Sequence, residues 1–89
     1  MTSDLTPEFT RRFKRLPARV KRTARKNYKL WKTDPAHRSL DFKRVGTRMP
    51  VWSVRVGIGW RALGVRSRNA ITWFWIGSHA EYDRLLQGL

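Results

Sequence analysis

The spacing of apolar residues along this chain changes near Leu40, from steps of three and four to steps of about two, and turns helical again only in the last residues from His79. The change near Leu40 separates a helical first part from an extended second part. Thr6-Pro7-Glu8 reads as a helix start: Thr6 caps, Pro7 takes the first helical position where a missing N–H is harmless, and Glu8 faces the positive end of the dipole. Phe9, Phe13 and Leu16 give this helix one apolar face, and Pro17 stops it near Leu16. Pro17 itself opens a second helix, in which Val20, Ala24, Tyr28 (or Asn27) and Trp31 recur while Lys and Arg fill the other faces. Asp34-Pro35 ends it, and a loop over 35–39 follows.

Leu40, Phe42 and Val45 predict a short strand, and Gly46 to Pro50 a turn. Val51 to Val56 alternates Trp52, Val54 and Val56 with Ser53 and Arg55, the pattern of a half-buried antiparallel strand. Gly57-Ile-Gly59 connects it to a strand over Trp60–Val65, Arg66 to Ala70 turns again, and Ile71–Ile76 is apolar on both faces, as for a covered central strand. Tyr82, Leu85 and Leu86 place a short terminal helix between His79 and Leu89. The expected fold is a single α+β domain over residues 1–89: an N-terminal helical hairpin packed on a small antiparallel sheet of about four strands, with a short C-terminal helix. The hairpin is expected on the face carrying Trp52, Val54 and Val56, which leaves a basic face with Arg55 and Lys43.

Charge narrows the partners. Twenty Lys and Arg against six Asp and Glu give a formal +14, which calls for a polyanion or an acidic protein. The basic run from Arg11 to Lys32 fits a nucleic-acid grip, although such a run on a helix is commonly a solvated face. With no Cys there is neither a disulfide framework nor a thiolate zinc site, and a cytoplasmic protein is expected. No basic segment leads into an apolar run at the start, and no apolar stretch is long enough for a membrane span. Two distant histidines and scattered carboxylates offer no metal-ligand spacing, so neither metal nor small-molecule cofactor is expected.

The run Lys32-Thr-Asp-Pro-Ala-His-Arg-Ser-Leu-Asp-Phe-Lys-Arg-Val45, followed by Trp52-Ser-Val-Arg-Val56, Trp60-Arg-Ala-Leu63 and Ile76-Gly-Ser-His-Ala-Glu-Tyr82, resembles the RelE/ParE toxin superfamily over nearly the whole chain. The resemblance implies the toxin of a type II toxin–antitoxin system, neutralised by a separately encoded acidic antitoxin. Many members are ribosome-dependent mRNA endonucleases that inhibit translation, with mRNA and rRNA as partners. The ParE branch instead inhibits DNA gyrase and lacks the nuclease site. A third class, a basic nucleic-acid-binding module without activity, is open to the composition alone.

RNA is cut without metal when its 2′-OH attacks the adjacent phosphate, given a base, an acid and a cation for the extra charge. The resemblance assigns Arg61 to the strand arginine that stabilises the phosphorane, His79 to acid or base chemistry, and Tyr82 to orienting the nucleophile or stacking on a base, although the His-Ala-Glu-Tyr spacing departs from the family's adjacent pair. Lys43, Arg44 and Arg55 are expected to hold phosphates, with His37 and Arg38 in the loop where some relatives place a catalytic acid. That loop position has no carboxylate here, and Asp41 and Glu81 remain as nearby carboxylates. Each residue has a structural alternative: a buried ion pair for Arg61, a strand-ending hydrogen bond for His79, core packing for Tyr82 and a solvated position for Arg55.

Overall fold

The computed structural model describes residues 1–88; Leu89, the last residue expected in the terminal helix, lies outside the described residues. In chain order the elements are strand β1 (Thr2–Leu5), helices α1 (Pro7–Lys14) and α2 (Ala18–Thr33), a 3-10 turn (Arg38–Leu40), strands β2 (Lys43–Arg44), β3 (Val51–Gly57), β4 (Trp60–Ser67) and β5 (Ala70–Ser78), and helix α3 (His79–Gln87). The α+β class is as expected. The four antiparallel strands form the order β5-β4-β3-β2, and β1 adds a fifth, parallel to β5 with Thr2 opposite Ala70 and Leu5 opposite Trp73. None of the described helices is long and apolar enough to cross a membrane.

Local signals fix the helices. Thr6 Oγ1 accepts the Phe9 N–H at 3.1 Å, and Glu8 pairs with Arg11 and Arg12 along α1. α1 ends two residues before Leu16, which still packs against the core. α2 starts at Ala18, after Pro17 at the N-cap with no side-chain cap bond, and closes at Asp34, whose N–H reaches the Leu30 carbonyl at 2.7 Å. α3 opens on a capping box between Ser78 and Glu81.

The strand expected over 40–45 shrinks to two residues. Leu40 closes a 3-10 turn, and Asp41 takes a left-handed conformation (φ 43°, ψ 49°) that breaks the extended run. Leu40 and Phe42 nonetheless both reach the core.

The sheet is apolar on both faces. On one, α1 lies on β5 and α2 on β3, enclosing Trp52, Val54, Val56, Ala62, Ile71, Trp73 and Ile76, as the alternation in β3 predicts. Trp31 is the hub: it is 2 % exposed and sits edge-on to Phe42 and Trp73 at centroid distances of 5.8 and 5.4 Å. Between the helices lies an apolar cavity of about 220 Å³ walled by Phe9, Phe13, Ala24, Tyr28, Trp73 and Ile76. On the other face α3 covers Val51, Leu63 and Trp75 with Tyr82. Trp73 and Trp75, two residues apart on β5, join opposite cores because the register slips once: Leu63 pairs with Trp75 but Gly64 with Trp73, leaving Phe74 as the extra residue of a bulge. Gly64 permits this, since a Cβ there would lie 2.8 Å from both Ile71 Cγ1 and Trp73 Cε3.

Candidate functional site

On the α3 side of the sheet, register brings the polar residues together. Lys43 pairs with Ser53 and Arg55 with Arg61, so all four project to one face. Arg61 is only 3 % exposed. Its Nε donates to Ser53 Oγ at 2.6 Å, its Nη1 to Asp41 Oδ2 at 3.2 Å and its Nη2 to the Asp41 carbonyl at 2.8 Å. A guanidinium buried this deeply requires such partners. The left-handed turn at Asp41 is what presents both its carboxylate and its carbonyl to one arginine.

Tyr82 roofs this pair, with the Arg61 guanidinium carbon 5.2 Å from its ring centroid. His79 continues the row edge-on to Tyr82, at 5.4 Å between centroids. Its side chain is 54 % exposed, and its Nδ1 lies 3.2 Å from Asp83 Oδ2, one helical turn on. At the other end Lys43 Nζ is 3.2 Å from Asp41 Oδ2. One carboxylate thus sits among Lys43, Arg55 and Arg61 and leaves the cluster cationic. Partial burial acts to raise the Asp41 pKa, but the hydrogen bond and charge of Lys43, then the charges of Arg61 and Arg55, hold it below its ordinary 3.8.

Because folding lowers this pKa, the stabilisation from Asp41 is complete above the unfolded value of 3.8 and is lost as pH falls below it towards the folded value. Glu81, lowered chiefly by the Ser78 backbone and hydroxyl, adds in the same direction below 4.5. Melting temperatures measured across the acid range should therefore fall on acidification. Asp41→Asn should be less stable near neutrality and show a shallower acid decline; an unaltered decline would mean that the charge on Asp41 does not hold Arg61.

Not all the expected residues meet here. Arg61, His79 and Tyr82 form one contiguous row, with Lys43 and Arg55 beside it. Arg44 pairs with Trp52, projects from the opposite face of β2 and gives its Nε to the Gly46 carbonyl at 2.9 Å. His37 caps its own 3-10 turn, its Nδ1 accepting the Ser39 N–H at 3.2 Å. Among the described residues no side-chain hydrogen bond or ion pair ties His37 or Arg38 to the row, although the Arg38 carbonyl accepts the Asp41 N–H at 3.2 Å. Sequence reasoning did not single out Ser53 or Asp83 as parts of the site. Asp83 was findable as a carboxylate four residues beyond a histidine on a helix, whereas Ser53 needed the register. Among the described residues, no three His, Asp or Glu side chains could together hold a metal ion.

The family profile of the ParE-like toxin domain matches residues 18–84. No individually curated protein matches the sequence. Among solved structures, the RelB–RelE antitoxin–toxin complex from Methanococcus jannaschii contains a chain that superposes with a TM-score of 0.71 at 14 % identity, covering 91 % of this chain and 96 % of that one. The archaeal RelE–RelB complex from Pyrococcus horikoshii gives 0.69 at 13 %, covering 88 % and 93 %. The YoeB/ParE toxin from Agrobacterium tumefaciens gives 0.68 at 16 %, covering 89 % and 99 %. At identities this low the superpositions establish a shared fold alone.

Proposed function

This chain belongs to the family of ParE-like toxin domains, and from that membership we propose that it is a toxin that cleaves mRNA at the ribosome, in the cytoplasm, by a reaction that needs no metal. The observation that carries the proposal is the row His79–Tyr82–Arg61 beside Lys43 and Arg55. With Nδ1 engaged by Asp83, His79 is left with Nε2 to accept the 2′-OH proton or to donate one to the leaving oxygen. The 2′ oxygen bonds to phosphorus as the bond to the 5′ oxygen breaks, leaving a cyclic phosphate and a free 5′-OH. Lys43 and Arg55, half-exposed and exposed, bind the phosphate. Arg61 has its fork filled by Ser53 and Asp41, so its role is a fixed positive charge beneath the site and the base on which Tyr82 rests.

Two of the structural relatives were solved in complex with an antitoxin. An acidic antitoxin suits a chain of formal charge +14, and its binding would keep the basic face from RNA.

Primer extension on cellular mRNA after brief induction tests the reading, with growth scored alongside. Wild type should produce new cuts inside translated frames, and an Arg61→Ala, His79→Ala double variant should lose both cuts and arrest. Growth arrest without cuts, persisting in the variant, would overturn cleavage and direct attention to supercoiling by DNA gyrase.

A further inference from the structure

The helices treat their charges differently. α1 places Glu8 in its first turn against Arg11 and Arg12, and α3 has Glu81 in a capping box. α2 carries Arg19, Lys21, Arg22, Arg25, Lys26, Lys29 and Lys32 with no Asp or Glu between Ala18 and Thr33. Its first turn has neither an acid nor a side-chain cap and sets Arg19 and Lys21 near the positive end of the dipole. Arg19 and Arg22, Arg22 and Lys26, and Lys26 and Lys29 are like-charge neighbours three or four residues apart, an arrangement that destabilises a helix. Among the described residues no ion pair involves α2.

Arg25 lies over the Phe13 ring and Lys32 over the Tyr28 ring, at 5.1 and 4.6 Å. Arg19, Arg22, Lys26 and Lys29 are exposed. At 3.6 residues per turn they share a sector of about 80° and span about 15 Å of the axis. This sector faces away from β3, on the side of the sheet opposite His79 and Arg61. The only exposed apolar side chain on α2 is Ala18. A protein partner's interface would centre on apolar or aromatic anchors, which this face lacks, whereas a phosphate backbone needs only cationic donors.

We propose that the exposed face of α2 is a second RNA-binding surface, which holds the sugar–phosphate backbone of a folded RNA on the side opposite the candidate site. The choice of RNA over DNA rests on the function proposed above; the surface itself does not. Two remote basic faces let the protein be held by a structured RNA while a single strand occupies the site.

The test uses the full-length protein and a 2′-O-methyl RNA duplex of arbitrary sequence, which 2′-OH attack cannot cut, titrated at several salt concentrations. An Arg19→Gln, Arg22→Gln, Lys26→Gln, Lys29→Gln variant should bind at least about tenfold more weakly at low salt, with the log–log salt slope reduced by about three. Its melting temperature should be unchanged or higher, because like-charge repulsion has been removed. No cleavage is read in this titration, which keeps failure of the cleavage reading distinct from failure of this one. An unchanged salt slope in the quadruple variant would overturn the proposal. So would tighter wild-type binding to a DNA duplex of the same sequence, or loss of poly-glutamate binding alone, which would mark α2 as a surface for an acidic protein.

Discussion

His79→Ala should lower RNA cleavage by about 10²- to 10⁴-fold, the usual worth of a positioned acid or base. The fold should survive, because the imidazole is largely exposed and its one polar partner, Asp83, is itself exposed. Purified protein added to a translating extract, with 5′-labelled mRNA resolved on a gel, reads the cleavage, and a melting curve reads the fold. Asp83→Asn should give a smaller loss, since it removes the group that orients Nδ1 and leaves the imidazole in place. Equal cleavage by His79→Ala and wild type, with melting also equal, would remove His79 from the chemistry.

Trp31→Ala should destabilise the protein by about 3–5 kcal/mol, the range for truncating a large buried aromatic. Domains of this size carry a total of roughly 5–15 kcal/mol, so most of the margin would be gone. Trp31 joins α2 to the sheet through Trp73 and to the segment before β2 through Phe42. Its loss would enlarge a space already bordered by a cavity. Urea unfolding should show the midpoint collapse, and Trp31→Phe should recover part of it. A midpoint little changed in the alanine variant would mean that α2 is held by its other contacts, with Val20 and Ala24 on the same face.

Much of this architecture is legible in the residues. Thr6-Pro7-Glu8 and Pro17 mark the helix starts because capping and the missing proline N–H act locally. The alternation from Val51 identifies the inner face of β3 because period two admits no other orientation. β1 was illegible: Thr2-Ser-Asp-Leu5 carries no alternating apolar set, and its place comes from backbone pairing with β5, sixty-eight residues away in sequence. The apolar neighbours of Arg61 announced its burial but not its partner, since Asp41 reaches it only through the left-handed turn. Arg44 was expected beside Lys43, yet adjacent residues of a strand face opposite ways, so only one of them could serve the site.

The margins of the sheet bear on how this protein behaves in company. One margin is β2, two residues long and made of Lys43 and Arg44; the other is β1, four residues that include Asp4. Each covers only part of its neighbour: β2 pairs with Trp52 and Ser53 of β3, and β1 with Ala70 to Trp73 of β5, so among the described residues 54–57 of β3 run on without a strand on that side. A binding protein that adds a strand would therefore meet two basic residues at β2 and, just past them, the uncovered second half of β3.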